Sequence, residues 1–543
     1  MPHVTSVFCL SAGLALACSS LGAQRILATT FGTVSSESLG SMIATLGDLD
    51  GDGVPDYVLG TGLTSPPTIH LCSGRTTGVL RTLTGPLNED WGTSVADIGD
   101  VNADGVRDLA VGAPLRRSSP GTGAIDLYSG RDGSPIATIL ELEAAVTYLG
   151  RRVLGIDDVD ADGVPDFVAT APRGGKIRVV SGRTRASHRV ISFGTETAGK
   201  TTSLALLGDV NGDGVREIVA GDSTFTNGAG RIAIIDPRTG AILRTVVGST
   251  AGTDLGTLVA GAGDVDGDGS PDFAATAPRD PGAFGSRSSG AVFVYSGRSG
   301  NLLRTLVGPI HASAFGKSLA SLGDVNGDGV PDFAVGSSWS EVNNPDVGAL
   351  WFSSGLSGGT LMLRAGFDDA GGFAAVCAAI SDFDGDGIRD VLVSAPQETD
   401  LIYSQGAVRI LSGRILAEAA LEGTGCGGGP FVPLLGGTRP VVGTTALLVG
   451  EWPPGVPGFL LLSPPPPRPT NLGVPACNAY VDIASATVLL PIAPGINRWT
   501  VPLPVPSLPG FAGLEFEFQV LYGPTSGPLG FDLTNGLRWR VGW

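Results

Sequence analysis

Long helices and basic surfaces have little support in this sequence. Of its 543 residues only 16% are charged and 6% are aromatic, and it contains six Cys, four His and three Met. Glycine and proline are abundant instead, at 84 and 38 residues, so almost no stretch is free of both for long enough to form a long helix. Lys and Arg form no stripe that would suit a nucleic-acid partner. The composition predicts an all-β protein of many short strands joined by turns.

Signatures of catalysis are also scarce. Beyond the N-terminal segment the histidines are His70, His188 and His311, and no Ser or Cys motif stands beside them. No Gly-Xaa-Ser-Xaa-Gly turn stands between a strand and a helix, and no His-Glu-Xaa-Xaa-His occurs. We therefore expect no catalytic residues.

The N-terminal segment predicts export. Its first 23 residues contain no Lys, Arg, Asp or Glu, residues 7–16 are apolar, and residues 21–23 resemble a cleavage site. We interpret residues 1–23 as a signal peptide, with a lipoprotein box at residues 15–18 as the alternative. No later apolar run approaches the ~20 residues of a membrane helix, so we expect no transmembrane segment. The mature protein should be secreted, at the cell surface or in the periplasm.

One nine-residue unit occurs seven times, at intervals of 51 to 60 residues. Residues 324–332 read Asp-Val-Asn-Gly-Asp-Gly-Val-Pro-Asp, with side-chain oxygens at positions 1, 3, 5 and 9 and a glycine at position 6. Calcium takes six to eight oxygen ligands on such a curled loop, and the position 7 carbonyl can add one. Glycine at position 6 suits the sharp turn. We therefore predict up to seven structural Ca²⁺ sites and disfavour Mg²⁺, which keeps several waters.

The predicted ligands share these five loop positions. In chain order they are Asp48, Asp50, Asp52, Val54 and Asp56; Asp100, Asn102, Asp104, Val106 and Asp108; Asp158, Asp160, Asp162, Val164 and Asp166; Asp209, Asn211, Asp213, Val215 and Glu217; Asp264, Asp266, Asp268, Ser270 and Asp272; Asp324, Asn326, Asp328, Val330 and Asp332; and Asp382, Asp384, Asp386, Ile388 and Asp390. An EF-hand would need a bidentate Glu at position 12, where Leu59 and Val335 stand in the first and sixth loops.

The segments around the loops identify a repeat. Phe-Gly precedes the first strand at residues 315–316, Gly-Ala-Pro follows the second strand at residues 112–114, and Ser-Gly-Arg closes the third strand at residues 296–298. With the acidic loop, this order resembles the FG-GAP repeat. The resemblance implies a seven-bladed β-propeller over residues 24–423, as at the head of integrin α chains and in many secreted bacterial proteins. It departs from integrins because every blade carries a metal loop and no integrin-like leg follows.

Two segments compete to close the ring. Residues 25–32 and residues 415–423 both resemble an outer strand, which gives eight candidates for seven positions. Propellers commonly use an N-terminal strand to complete the last blade, so we favour residues 25–32. Closure would protect strand edges that could otherwise pair with other chains.

Residues 424–543 lack the metal loop and predict a small C-terminal β-sandwich-like domain. It resembles the C-terminal module of some large secreted bacterial repeat proteins. Alternation over residues 514–520 predicts a half-exposed strand, and Asn535-Gly536 predicts a hairpin turn. Cys426 and Cys477 both lie here and are a candidate disulfide in an oxidising compartment. The remaining pair, Cys72 and Cys377, we interpret as buried thiols.

Ligand binding is expected on the face opposite the metal loops, where the segments between second and third strands vary in length. The candidate ligand-binding residues in these segments are Arg116, Arg117, Trp339, Glu341, Asn343, Asn344 and Tyr403. Together these features predict a monomeric, calcium-stabilised binding or adhesion protein whose partner is an extracellular protein or glycan. The alternatives are an extracellular carbohydrate-active enzyme resembling polysaccharide lyases, because propellers also carry that chemistry, and a cell-wall structural component.

Overall fold

The computed structural model describes two parts of the chain. The first is residues 26–414, except 35, 63–65, 118–121, 142–145, 194–201, 282–288, 309–311, 338, 341–347, 366–371 and 400–403. The second comprises the strands between residues 418 and 540. Internal contacts separate a compact unit of Ile26–Arg414 from another unit that contains Ile415–Trp543. The predicted boundary at residue 423 stays a prediction.

The larger unit consists of seven four-stranded antiparallel sheets, the blades. Given as first, second, third and outer strand, blade one is Met42–Thr45, Tyr57–Gly60, Thr68–Cys72 and Val79–Thr84; blade two is Val95–Gly99, Asp108–Arg117, Thr122–Tyr128 and Pro135–Leu140; and blade three is Val153–Gly155, Phe167–Ala171, Lys176–Val180 and Ser187–Ser192. Blade four is Thr202–Gly208, Glu217–Asp222, Arg231–Ile235 and Ile242–Val247; and blade five is Val259–Gly263, Asp272–Ala277, Ala291–Tyr295 and Leu302–Val307. Blade six is Ser318–Gly323, Asp332–Ser337, Ala349–Ser353 and Thr360–Ala365; and blade seven is Cys377–Ala379, Val391–Ala395, Ala407–Leu411 and Ile26–Phe31.

Few other elements occur among the described residues. Val146–Leu149 pairs in parallel with the third strand of blade two, and Ala312–Ser313 pairs with Trp339–Ser340. The helical elements are a 3-10 turn at Pro172–Gly174 and a four-residue turn at Phe225–Gly228. The predicted all-β, seven-bladed propeller is therefore confirmed.

The blades form a closed ring. Each first strand contacts the first strands of the blades on either side, and blade seven contacts blade one in the same way. Ile26–Phe31 pairs antiparallel with Ala407–Leu411, so an N-terminal strand completes the last blade. The preference for residues 25–32 as the closing strand is confirmed. Glu418–Glu422, from the competing segment, pairs instead with Gly536–Arg540.

The hydrophobic core lies between neighbouring blades. Second strands are buried on both faces, as in Phe167–Ala171, where every residue is buried, whereas the outer strand Val79–Thr84 is mostly exposed. Between blades one and two, Val58 and Ile69 pack in one cluster with Leu109. Burying each such side chain contributes roughly 1.5–3 kcal/mol. The same kind of cluster joins blade seven to blade one and contains the buried thiol side chain of Cys72.

Close backbone approach between blades explains the Gly-Ala-Pro position. A Cβ on Gly112, within the second strand of blade two, would lie 1.9 Å from the carbonyl oxygen of Gly150, which leads into the next blade. No side chain fits there, because real Cβ contacts are far longer. The first strands add hydrogen bonds at the same junction, since Val153 N–H donates to Ser94 Oγ at 3.0 Å.

In the smaller unit the described strands are all antiparallel. One sheet has the order Glu418–Glu422, Gly536–Arg540, Glu515–Tyr522, Gly458–Ser463 and Thr487–Ile492, with Asp532–Leu533 also on Glu515–Tyr522. A second has the order Leu434–Gly437, Thr445–Glu451 and Arg498–Pro504, and Thr470–Asn471 pairs with Asn478–Ala479. The expected strand over residues 514–520 is present, but the hairpin at Asn535-Gly536 is wrong. The two flanking strands, Asp532–Leu533 and Gly536–Arg540, pair with Glu515–Tyr522, whereas a hairpin turn would pair them with each other. The β-sandwich stays a prediction.

Cysteine placement follows the two units. Cys72 and Cys377 are free and buried, as expected, and burial raises the pKa of each thiol to about 12. Cys426 and Cys477 lie outside the described residues, as does the predicted signal peptide. In the part of the chain that the structure describes, no helix is long and apolar enough to cross a membrane.

Candidate metal centres

The acidic loops lie together on one face of the ring. In each blade the loop joins the first strand to the second, and the hairpin between third and outer strands returns to the same side because adjacent strands are antiparallel. The connections between second and third strands therefore lie on the opposite face. This is the arrangement expected from the sequence.

Position 1 organises the curl of every loop. In the first loop Asp48 Oδ1 accepts a hydrogen bond from Gly51 N–H at 2.7 Å, and Oδ2 accepts one from Gly53 N–H at 2.8 Å. The bond from position 6 to position 1 recurs in all seven loops at 2.7–2.9 Å. Gly53 adopts φ +86°, a conformation that disfavours any residue with a side chain. The chief cause lowering the pKa of Asp209, at the same position, is the Gly214 N–H group.

Position 9 places a buried carboxylate under each loop. Asp56 Oδ2 accepts a hydrogen bond from Leu49 N–H at 2.7 Å, and Oδ1 accepts one from Gly74 N–H at 2.8 Å. Burial raises the pKa of Asp332 to about 7 and of Asp108 to about 6, with neighbouring loop carboxylates adding to the shift. A bound cation would stabilise such a buried carboxylate, because a nearby positive charge favours the ionised form.

The predicted side-chain oxygens converge within individual loops. One oxygen each from Asp48, Asp50 and Asp56 lies within 4.8 Å of the others, which is close enough for all three to contact one ion. The same holds for three further sets: Asp158, Asp160 and Asp162; Asp209, Asp213 and Glu217; and Asp264, Asp266 and Asp272. At position 7 every backbone N–H donates to the position 5 carboxylate at 2.8–2.9 Å, which fixes the backbone beside the site. Hard divalent cations prefer such all-oxygen sets.

An arginine beside each of five loops was missed by the sequence analysis. Arg75 Nε donates to Asp52 Oδ2 at 3.1 Å and its Nη2 donates to Asp52 O at 2.6 Å, so the guanidinium clamps position 5. The equivalent pairs are Arg131–Asp104, Arg183–Asp162, Arg238–Asp213 and Arg298–Asp268. The signal was the repeated Ser-Gly-Arg, which ends the third strand and whose glycine supplies the N–H bound to position 9. From the sequence alone this motif predicts only the end of a strand.

The fourth loop departs from this pattern at two linked positions. Its third strand is followed by Asp236-Pro237-Arg238, and proline has no N–H to donate to position 9. Position 9 there is Glu217, whose Oε1 instead accepts from Asn211 Nδ2 at 2.6 Å while Oε2 accepts from Val210 N–H at 2.6 Å. The longer acid therefore reaches a side-chain donor where the backbone donor is missing.

On the opposite face, Arg116 is already paired. It bonds to Glu89 and to both oxygens of Asp126, with Nη1–Oδ1 at 2.6 Å and Nη2–Oδ2 at 2.8 Å. Trp91 Nε1 donates to the same Asp126 at 3.1 Å. The second strand of blade two continues to Arg117, beyond the predicted strand end, so Arg116 lies within the strand. Arg116 is therefore a structural member of that network, and Arg117 next to it is exposed.

The other predicted ligand-binding residues are placed only in part. Trp339 begins the two-residue strand Trp339–Ser340, which pairs with Ala312–Ser313. Glu341, Asn343, Asn344 and Tyr403 lie outside the described residues. The sequence did not single out Arg152, at the start of the blade three first strand. Its Nη1 contacts the carbonyl oxygens of Thr93 and Arg151 at 3.5 Å, and no carboxylate among the described residues pairs with it. Burial, with the charge of Arg151, lowers the pKa of Arg152 to about 10.

A cavity of about 610 Å³ lies at the centre of the ring, near the ends of the first strands. Its apolar lining includes Val95 and Val153. The lining arginines are paired: Arg107 Nε lies 2.5 Å from Asp97 Oδ2, and Arg216 Nη2 lies 2.6 Å from Asp157 Oδ1. Both of these arginines therefore have carboxylate partners at this end of the cavity.

Comparison with known families agrees with the repeat geometry. A family model described as FG-GAP repeat matches residues 92–128, 255–295, 315–352 and 377–411, which fall in blades two, five, six and seven. The chain carries FG-GAP repeats. Its FG-GAP propeller is similar to integrin alpha chains, and the four ranges matched by the family model lie within the region that forms the ring.

Three integrin chains illustrate the extent of this similarity. Integrin alpha-4 of Xenopus laevis is 26% identical over 46% of this chain and 25% of the integrin. Integrin alpha-V of Gallus gallus is 32% identical over 30% of this chain and 15% of the integrin. Integrin alpha-11 of Homo sapiens is 30% identical over 24% of this chain and 12% of the integrin. The FG-GAP chain thus matches a quarter or less of each integrin's length. A solved structure titled "Structure of Dos1 propeller" aligns with this chain at 12% identity and a TM-score of 0.41. The alignment covers 72% of this chain and 78% of the chain in the solved structure.

Proposed function

We propose that this FG-GAP protein is a secreted, calcium-stabilised binding or adhesion protein that recognises an extracellular protein or glycan. Recognition is assigned to the face opposite the acidic loops. The observation that carries the proposal is the separation of two faces: seven nearly identical loops on one, and connections of varied length on the other. Similarity to integrin alpha chains supports the same class of function.

Calcium is the proposed ion because the donors are oxygens on a preformed curl. The donors at positions 1, 3, 5 and 9 are carboxylates or amides, and the position 7 carbonyl completes the set in each loop. The buried position 9 carboxylates, such as Asp332, gain most from a bound cation because their ionised form is disfavoured by burial. An ion held this way links the first and second strands of one blade, so its role is structural.

The opposite face is the proposed recognition surface. It presents the exposed Arg117, and it includes the more deeply buried Arg152 at the start of a first strand, which has no carboxylate partner among the described residues. Trp339 enters the same face on its short strand. Charged and aromatic residues of this kind frequently anchor protein and glycan partners.

The experiment is a binding array with a matched pair of variants. Full-length protein is applied to arrays of extracellular proteins and glycans in millimolar calcium and in EDTA. Arg117→Ala alters the proposed face, whereas Arg389→Ala removes an exposed arginine from the loop face. We expect Arg117→Ala alone to weaken binding to the partner found with the parent protein. If Arg389→Ala weakens binding and Arg117→Ala does not, recognition lies on the loop face and the assignment is wrong.

One observation favours a second candidate, an extracellular carbohydrate-active enzyme of the polysaccharide lyase kind. Arg151 and Arg152 are adjacent at the start of a first strand, where positive charge would neutralise a uronate carboxylate. Release of unsaturated oligosaccharides from uronate polymers, lost in Arg152→Ala, would support this candidate. Unchanged polymer length after prolonged incubation would exclude that substrate class.

A further inference from the structure

One position in the outer strands is occupied by an aliphatic residue in six blades and by histidine in the third. Every outer strand has a bulge near its start, where one residue has no partner on the third strand. In blade three the pairs Val180–Ser187 and Val179–Arg189 leave His188 at the bulge. At the other six bulges the residue is Leu27, Leu80, Ile136, Leu243, Leu303 or Leu361.

His188 lies next to the acidic loop of its own blade. A ring nitrogen of His188 and one carboxylate oxygen each from Asp160 and Asp166 lie within 4.8 Å of one another. Asp166 is the buried position 9 acid, held by Val159 N–H at 2.9 Å and Gly182 N–H at 3.0 Å, so its position is fixed. Asp160, at position 3, also belongs to the group formed with Asp158 and Asp162. His188 itself is exposed, and its ring can rotate toward the two carboxylates.

An imidazole changes which ions such a site prefers. Calcium and magnesium are bound by oxygen donors, whereas imidazole nitrogen suits zinc and the later first-row transition ions. Zinc takes His nitrogen and Asp oxygen at about 2.0–2.2 Å, and three protein donors with an open fourth position are a common arrangement. The three donors lie within 4.8 Å of one another, and rotation of the exposed ring can bring its nitrogen closer to the two carboxylates.

We propose that the loop of blade three is a transition-metal site in which His188 joins Asp160 and Asp166, and that it differs in this from the other six loops. The proposal rests on the metal-binding role proposed for the loops. It assigns zinc-like divalent ions to one blade of a propeller whose other blades take calcium. The bulge position distinguishes this blade, because it places an imidazole near the position 9 acid where the other six blades carry an aliphatic side chain.

Cobalt(II) is the probe, because it occupies zinc sites and absorbs visible light when bound to nitrogen and oxygen donors. Untagged full-length protein in millimolar calcium is dialysed against micromolar Co²⁺, and bound cobalt and calcium are measured by elemental analysis alongside the visible spectrum. The parent should bind one Co²⁺ per chain. His188→Leu, which installs the residue type of most other blades, should lose it, with an affinity at least about tenfold lower, as is typical when groups of a metal site are removed.

A reverse variant makes the test independent of a folding defect. Leu303→His places imidazole at the equivalent bulge of blade five, whose loop contains the clustered carboxylates of Asp266 and Asp272, and should create a second Co²⁺ site. Thermal melting in calcium checks that every variant is folded. Equal cobalt binding by the parent and His188→Leu, with no gain in Leu303→His, would overturn the proposal. Calcium content is read separately, so a parent without calcium refutes the proposed calcium role whatever the cobalt result.

Discussion

Arg216 donates hydrogen bonds to both carboxylate oxygens of Asp157, with Nη2 2.6 Å from Oδ1 and Nε 3.1 Å from Oδ2. Its backbone N–H also donates to Oδ2 at 3.0 Å. Arg216 is at position 8 of the blade four loop, and Asp157 directly precedes the blade three loop, so this pair joins two blades. At three other junctions a proline occupies position 8 and packs on a glycine instead, as for Pro165 on Gly99.

Replacing the Asp157–Arg216 pair by a glycine and a proline should preserve the junction between the two blades. Asp157→Gly leaves Arg216 without its acid, and Arg216→Pro removes both the guanidinium and the N–H donor. Each single variant should lower the free energy of unfolding by about 1 kcal/mol or less, because the pair is partly exposed. The double variant recreates the glycine and proline contact and should recover most of the loss. Urea unfolding of all four proteins gives the coupling energy, and strictly additive losses would contradict this account.

Chelation should destabilise the propeller strongly. A ligand that binds only the folded state adds about 2.7 kcal/mol per site at 100 times its dissociation constant. Melting temperature in EDTA should therefore fall well below that in millimolar calcium. Asp324→Ala, which removes position 1 of the sixth loop, should lower stability in calcium and have a smaller effect in EDTA. Superimposable melting curves with and without calcium would contradict the structural role.

The pH dependence of stability should change with calcium. In the metal-free protein the folded state binds more protons than the unfolded state, because burial raises the pKa of Asp108 and Asp390 to about 6 and of Asp332 to about 7. Stability in EDTA should therefore rise as pH falls from about 7 toward 4, where the unfolded acids titrate. In calcium the same protons compete with the ion, so lowering the pH should remove stability. Melting series in the two buffers that slope the same way would contradict this prediction.

The fourth loop offers a rescue experiment. Glu217→Asp shortens the acid at position 9, and Pro237 cannot supply the N–H that serves the Asp of other loops. This variant should cost about 1 kcal/mol or more, the scale of an unmet hydrogen bond to a buried carboxylate. Adding Pro237→Gly restores the donor and should return much of the loss. Calcium-dependent melting measures both steps, and Pro237→Gly alone serves as the control for changed backbone freedom.

The features that the sequence revealed are local ones. Each loop is defined within nine residues, so Asp324 to Asp332 could be recognised without knowing what lies nearby. The blade strands followed from the same spacing, whereas the closing strand Ile26–Phe31 was favoured because its segment resembles an outer strand and propellers commonly close with an N-terminal strand. Arg75 was missed because its partner Asp52 is 23 residues away, across two strands. Arg116 was assigned to ligand binding because Glu89 and Asp126 meet it only in the folded blade. His188 looked isolated since its neighbour Asp166 ends the acidic loop, before the second strand, and is distant in the sequence.

Ring closure also sets how the propeller would respond to mechanical load. Ile26 is paired with Leu411 and Phe31 with Ala407, so the two chain ends of the ring leave from the same end of one antiparallel ladder. A force that pulls these ends apart would act on the Ile26–Leu411 pair first and open the ladder one rung at a time. Such unzipping resists force less than shearing, in which all rungs are loaded together. The outer strand of blade seven is thus the point at which tension on the chain would first open the ring.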